Sequence, residues 1–302
     1  MTTHILILRP GAIGDTLLTF PLLRALKTRH EQTYIMFVSN PAVLPLASLF
    51  GLADAVSDYG AMEWSQLFSP SGIRAPFLRD IMQHTNRAIC WIHDPDAVVQ
   101  HTLSSTGIHD IVIAPGRPTD TSGLHVLTYL AQTIGITLTE QERSQAFSPG
   151  PFDDAQGIAL HAGSGGVSKC WPLARFAEII MMLWQQRIPV LLLAGPADTE
   201  RFSMLMQCIG TPPVPSLLKT VVNAPLIEVA QHLRQYKVYL GNDSGITHLA
   251  ALLGTPTIVL FGPSSPTMWK PVGPHVSVLQ TPDLKDLSVE IVMDTIMLSM
   301  NT

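Results

Sequence analysis

The chain predicts an α/β protein of two halves, each built on a parallel sheet, and three observations carry that prediction. Its 302 residues are about twice a typical domain. Short apolar or β-branched runs alternate with stretches of helical period, the pattern of consecutive βα units. Near the middle a polar, proline- and glycine-bearing break interrupts this alternation, and the same pattern then restarts. Composition agrees. Hydrophobic residues make up 46% of the chain and charged ones 14%, against roughly 25% charged in an average soluble protein. That excludes a disordered chain and supplies apolar surface for two cores.

In the first half, residues 4–8 form a compact apolar run suited to a buried strand. A loop containing Gly11 and Gly14 follows, then a helix to about Arg29. Pro21 fits a helix start better than a helix interior. A main helix beginning there leaves Asp15 in an irregular turn, whereas a helix opening at Thr16 makes Asp15 its N-cap. Residues 34–38, 53–57, 88–92 and 108–114 are the next strands, with 41–50, 96–105 and 124–134 helical between and after them. Residues 139–157, with Pro149, Gly150 and Pro151, sustain no period and read as a linker. The expected division is thus 1–148 and 157–284, with a tail of 285–302.

The second half restarts with a strand at 158–162. The helix after it is the clearest in the chain, with Phe176, Ile180, Leu183 and Trp184 on one face and Pro172 suited to its first turn. Residues 190–194 read as a buried strand and 199–209 as a helix. A further helix at 225–235 aligns Leu226, Val229, Ala230 and Leu233. Strands at 238–241 and 257–261 flank a helix from 245 to 253. In the tail, Ser288 offers a cap, and Val289, Val292, Met293 and Ile296 form one apolar stripe.

Charge and cysteine content narrow the function. Eighteen Lys and Arg stand against 23 Asp and Glu, a formal charge of −5, which argues against a broad nucleic-acid surface. Small phosphorylated ligands remain open, because one or two cations plus backbone amides suffice for them. Cys90, Cys170 and Cys208 show no C-x-x-C spacing, so neither a disulfide framework nor a cysteine zinc site is expected, and the chain reads as cytosolic. No apolar run approaches the ~20 residues of a membrane span, and the start lacks the charged and long apolar regions of a signal peptide.

Ligands of open α/β sheets sit beyond the carboxyl ends of the strands, and four post-strand loops carry the candidate chemistry. If the two domains face each other, these loops line opposite walls of one cleft. The first loop runs from Arg9 to Asp15. Its glycines are spaced G-x-x-G rather than G-x-G-x-x-G, and no acid ends the second strand, so a dinucleotide site is poorly supported. The second runs from His161 to Pro172. Its glycines and serines, Ser164 among them, let backbone N–H groups approach a phosphate, and Lys169 adds a point charge; a plain turn with a solvated lysine is the alternative. The third holds Asn242, Asp243, Ser244 and Gly245 at a helix start, where free N–H donors and the helix dipole suit a pyrophosphate. Asp243 could accept from sugar hydroxyls, whereas His248, on the first turn, ordinarily reads as a core histidine. The fourth ends at Glu200, which either binds a ribose or caps the next helix. No G-x-S-x-G or H-E-x-x-H occurs, and His93-Asp94-Pro95-Asp96 suits a capped turn better than a metal.

The pairing of ILILRPGAIGDTLLTFPLLRALK near the start with GNDSGITHLAALLGTPTIVLFGPSSPTMW near the end resembles the lipopolysaccharide heptosyltransferases, glycosyltransferase family 9. The most specific part is D-[ST]-G-x-x-H-x-A-A at residues 243–251. The resemblance implies a GT-B fold of two Rossmann-like domains facing across a cleft, and a tail helix that packs back on the N-terminal domain. It implies inverting, metal-independent transfer of heptose from ADP-heptose to a lipopolysaccharide-core or related glycan, with no cofactor beyond the donor. A cytoplasmic protein, peripheral on the inner membrane, is expected. Among the residues, it makes Asp15 the general base, framed by Gly11 and Gly14. Lys169, in the loop with Ser164, lies near the donor phosphates and Glu200 near the ribose. Asp243, Ser244, Gly245 and His248 form the donor segment. Between residues 60 and 125, where the family presents several basic residues to its acceptor, this chain has Arg74, Arg79, Arg87 and Arg117. A nucleotide-sugar epimerase and a catalytically silent nucleotide-sugar-binding protein are the alternatives.

Overall fold

The computed structural model describes residues 2–29, 32–69, 71–148, 150 and 153–301. Met1, Pro149, Pro151 and Thr302, which figure in the expectations above, lie outside the described residues. The chain divides into two compact units, Met1–Glu142 and Arg143–Thr302.

The first unit holds β1 (Thr3–Arg9), β2 (Thr33–Ser39), β3 (Ala55–Asp58), β4 (Arg87–Trp91) and β5 (Asp110–Ala114). They form one parallel sheet in the order β3-β2-β1-β4-β5. The central strand buries Leu6, Ile7 and Leu8 completely, as expected where a parallel sheet is covered on both faces. Leu8 pairs with Val38 on one side and Cys90 on the other. Burial pushes the Cys90 thiol up to about 12, so it behaves as a small core hydrophobe.

The helix after β1 is two helices, Ile13–Leu17 and Phe20–Arg29. The Thr19 hydroxyl donates to the Thr16 carbonyl at the break, and Pro21 falls in the first turn of the second helix, where its missing N–H costs nothing. Asp15 is therefore the third residue of a short helix, neither an N-cap nor part of an irregular turn. Helix Pro76–His84 and the 3₁₀ turns of Met62–Phe68 occupy a stretch for which the sequence pattern predicts no element.

The expected linker is partly structured. It contains helix Glu140–Ser144, and Glu142 is clamped by Arg29 and by the Thr139 N–H at 2.8 Å each. Farther on, the Phe147 N–H donates to the Leu252 carbonyl at 2.8 Å and the Ser148 hydroxyl to that of Leu253 at 2.6 Å. These bonds tie residues 147 and 148 to the second unit, so the division falls earlier than residue 148.

The second unit holds β6 (Ile158–His161), β7 (Val190–Ala194), β8 (Leu218–Val222), β9 (Val238–Asn242), β10 (Thr257–Phe261) and β11 (Val276–Gln280). Their order is β11-β10-β9-β6-β7-β8, again parallel throughout. Helix Leu173–Gln185 buries the expected face of Phe176, Ile180, Leu183 and Trp184. The tail helix, Val289–Met300, corrects an expectation. Its stripe of Val289, Val292, Met293 and Ile296 is buried in the core of the second unit, against helix Leu173–Gln185 and β9. The Trp171 indole and the Arg175 guanidinium both donate to the Leu287 carbonyl and hold the start of that helix in place.

In both sheets the unit's first strand lies between strands wound in opposite directions, β1 between β2 and β4 and β6 between β7 and β9. At such a switch point the connecting loops part and leave a crevice beyond the carboxyl ends.

Candidate functional site

At the switch point of the second sheet, parallel pairing sets His161 of β6 beside Gly241 of β9. The next residue, Asn242, is fully buried and fastens the two loops together. Its amide nitrogen donates to the carbonyls of Ala162 and Gly163, at 2.9 and 3.2 Å, and its oxygen accepts the Trp171 N–H at 2.9 Å. Nearly every hydrogen-bonding position of that amide is used, as a buried amide requires.

The fastening brings together residues the sequence singles out separately. Lys169 Nζ donates to Asp243 Oδ2 at 2.8 Å, with the lysine side chain 39% exposed and the carboxylate 7%. The Ser164 hydroxyl donates to the Asp243 carbonyl at 2.6 Å. His248 Nε2 stands 4.0 Å from Asp243 Oδ1, so this histidine faces the cluster as well as the core. Ser244 precedes helix Gly245–Leu252 without capping it. Its hydroxyl lies 3.2 Å from His161 Nδ1 and 3.0 Å from Thr247 Oγ1.

Glu200 is exposed on the first turn of helix Thr199–Ile209. The acid that turns into the cluster is Asp198, two residues earlier. Its Oδ2 accepts from His161 Nε2 and from the Gly195 N–H, both at 2.9 Å. Burial alone would raise the Asp198 carboxyl, but His161, the Gly195 N–H and the charge of Arg201 outweigh it and hold the carboxyl below its ordinary range. Gly163 makes room for this acid, because a Cβ there would overlap the Asp198 carboxylate. At least one glycine of the second loop thus serves a buried acid of the protein itself. His161, Asp198 and Asn242 carry no assigned role in the sequence reading. The signal that marks them is a polar residue at the carboxyl end of an apolar strand, or in the turn just after one.

The first switch point is sparser. Arg9 ends β1 almost wholly buried. Its Nη1 donates to the Pro10 carbonyl at 2.9 Å, and Nη2 lies 3.4 Å from Asp15 Oδ1. Burial pulls the Arg9 guanidinium down from its ordinary pKa, while the charge and hydrogen bond of Asp15 act the other way. Asp15 Oδ2 accepts the Ala12 N–H at 3.0 Å, and 27% of the side chain is exposed. Gly11, at φ +152°, lets the loop close over this residue, since a Cβ there would stand 2.9 Å from Asp15 Cβ. Gly14 lies inside the short helix. On the neighbouring loop, Asp94 accepts the N–H groups of Val99 and Gln100, so the His93–Asp96 stretch is a capped turn. Among the described residues, no group of three or more His, Cys, Asp or Glu is arranged to hold a metal ion.

Two consecutive parallel α/β units, together with the similar heptosyltransferase structures given below, place the fold in the GT-B class. Within it the chain belongs to glycosyltransferase family 9 (heptosyltransferase), whose family model matches residues 127–294. Lipopolysaccharide heptosyltransferase 3 of Escherichia coli is 29% identical over 163 residues, which are 50% of this chain and 46% of that protein. The alignment therefore spans about half the length of that curated relative. In fold the chain is similar to the E. coli ADP-heptose LPS heptosyltransferase II, with a TM-score of 0.76, 21% identity and coverage of 100% of this chain and 99% of that one. It is also similar to E. coli heptosyltransferase WaaC solved with ADP, with a TM-score of 0.72, 18% identity and coverage of 98% and 100%.

Proposed function

We propose that the protein is an inverting glycosyltransferase that moves heptose from ADP-heptose to a lipopolysaccharide-core or related glycan without a metal ion. The observation that carries this reading is the switch-point cluster of Asp243, Lys169 and Ser244, which lies inside the family 9 match. Relatives named as lipopolysaccharide heptosyltransferases and a similar structure holding ADP support the donor and acceptor.

In this reading Asp15 accepts the proton of an acceptor hydroxyl as that oxygen bonds to the anomeric carbon. The bond from that carbon to the diphosphate oxygen breaks on the opposite face, which inverts the centre, and the nucleoside diphosphate leaves with the bonding electrons. Lys169 swings from Asp243 to the growing phosphate charge, and the N–H groups at the start of helix Gly245–Leu252 meet it with little reorganisation. These groups supply the positive charge a divalent ion would otherwise bring. Asp243 receives sugar hydroxyls, and Glu200, exposed beside the loop, reaches the ribose. Among the described residues no helix is long and apolar enough to cross a membrane, and we place the protein on the cytoplasmic face, in peripheral contact.

The test is release of ADP from ADP-heptose in the presence of heptose-deficient lipopolysaccharide core. Release that depends on the acceptor and persists in EDTA supports the reading. Donor turnover without acceptor identifies an epimerase or hydrolase instead, and binding without turnover identifies a silent protein.

A further inference from the structure

The first unit contains a buried cation to which the mechanism above gives no part. Arg9 is 3% exposed, and its Nε is buried with no hydrogen-bond partner among the described residues. Nη1 donates to the carbonyl of its own neighbour, Pro10, and Nη2 stands 3.4 Å from Asp15 Oδ1. A guanidinium keeps its charge in a protein, and a buried charge is costly unless it is fully paired. Packing alone does not account for it, because a methionine would fill a similar space without that cost.

Nor does the loop need it. The backbone from Arg9 to Thr16 is fastened by the end of β2. The Ser39 hydroxyl donates to the Arg9 carbonyl, the Thr16 hydroxyl lies 3.0 Å from Ser39 Oγ, and the Asn40 amide donates to the Gly11 carbonyl at 3.0 Å. What the backbone leaves undetermined is the direction of the Asp15 carboxylate. The terminal torsion of an aspartate is broad and has no strong preference of its own, and 27% of this side chain is exposed. The Ala12 N–H anchors Oδ2 at 3.0 Å, and Arg9 is the cation at the other oxygen.

The separation suits that task. At 3.4 Å the contact is longer than a full charge-assisted bond of about 2.7–2.9 Å. The guanidinium therefore draws Oδ1 toward it and still leaves lone pairs for a substrate proton. Arg9 is itself seated by Gly116, on the loop after β5, where a Cβ would overlap Arg9 Nη1.

We propose that Arg9 is a positioning residue of the reaction: from its buried seat beside Gly116 it fixes the direction of the Asp15 carboxylate, so that a free lone pair meets the acceptor hydroxyl. This rests on the reading of Asp15 as general base. Arg9 touches neither donor nor acceptor, and its effect on rate passes through Asp15.

The test uses the full chain, ADP-heptose and heptose-deficient lipopolysaccharide core, with ADP release as the readout. Arg9→Met removes the charge and keeps much of the volume. Its kcat is expected to fall roughly 10–100-fold, the cost of a misplaced catalytic group. The Kd for ADP-heptose and the KM for the core are expected to stay within about twofold. The urea midpoint is expected to match or exceed that of the wild type, whereas a guanidinium that served only the fold would lower it on removal. Arg9→Lys restores the charge without the planar fork and is expected to recover part of the loss. The decisive measurement pairs Arg9→Met with Asp15→Asn. If Arg9 acts through that carboxylate, its removal costs nothing more once the carboxylate is gone, as for residues that work as a unit. Gly116→Ala displaces the guanidinium but keeps its charge, and is expected to repeat the pattern with a smaller loss. An unchanged kcat, a loss that falls on the KM for the core, or an equal loss in both backgrounds overturns this inference and leaves the base reading standing. Full turnover by Asp15→Asn overturns the base reading and this one with it. If Arg9→Met and Gly116→Ala both fail to fold, Arg9 belongs to the core and the inference is overturned.

Discussion

At the end of β1, Asp15 is held by one backbone N–H and by a guanidinium 3.4 Å away, and its side chain is still 27% exposed. At the ends of β6, β7 and β9 the acids are treated differently. Asp243 is 7% exposed and takes a lysine at 2.8 Å, while Asp198 takes an imidazole and a backbone N–H at 2.9 Å each. The same topology thus yields two kinds of carboxylate. An oxygen engaged in short, charge-assisted bonds cannot take a substrate proton without losing them, whereas a loosely held, reachable one can. The proposed function uses this difference, with proton transfer given to the first unit and anion recognition to the second.

The sharpest way to break that division is Asp15→Asn. If the first unit supplies the base, turnover falls by roughly 10²–10⁴-fold, the usual worth of general-base catalysis, while the Kd for ADP-heptose, measured by calorimetry, stays within about twofold. Unchanged turnover would return Asp15 to a role in shaping its loop. On the other side, Lys169→Ala leaves the enclosed Asp243 carboxylate without its cation. Donor binding is expected to weaken by roughly 10–100-fold, the value of a charge-assisted bond, with activity in both proteins unaffected by EDTA.

Smaller effects sharpen the contrast. Gly163→Ala drives a methyl group into the Asp198 carboxylate, and urea unfolding should show a loss of about 1–3 kcal/mol, typical of overpacking. The smallest effect is a pH dependence. Asp198 has a lowered pKa in the folded protein, so its contribution to stability is fully present above the unfolded carboxyl value of about 3.9 and is lost as pH falls through the folded value. Asp198→Asn should flatten that acid limb of the unfolding profile.

The fold was legible wherever a strand is buried on both faces. β7 and β10 read as uninterrupted apolar runs, Val190–Ala194 and Thr257–Phe261, and the structure returns the same limits. The edge strands β8 and β11 were not read, because each has exposed positions in its run and offers no continuous apolar signal. Helix Pro76–His84 was missed for a related reason, since only Leu78 and Met82 of its nine residues are buried. The site was legible as clusters of residue types after strands. Which acid of the fourth loop turns inward was not, because Asp198 and Glu200 are chemically alike and two residues apart. The apolar stripe of the tail helix was read correctly, but a stripe does not name the surface it will cover.

Local periodicity and composition are properties of neighbouring residues, and from them the sequence by itself determined two α/β units, most of their strands and helices, and the loops that carry polar chemistry. The pairings that make those loops a site join residues 37, 74 and 83 positions apart: His161 to Asp198, Lys169 to Asp243, and His161 to Ser244. Only the tertiary structure decided them. The physical reason is strand order: placing β6 between β7 and β9 sets three remote carboxyl ends side by side. Burial there then obliges each polar group to find a partner among the others.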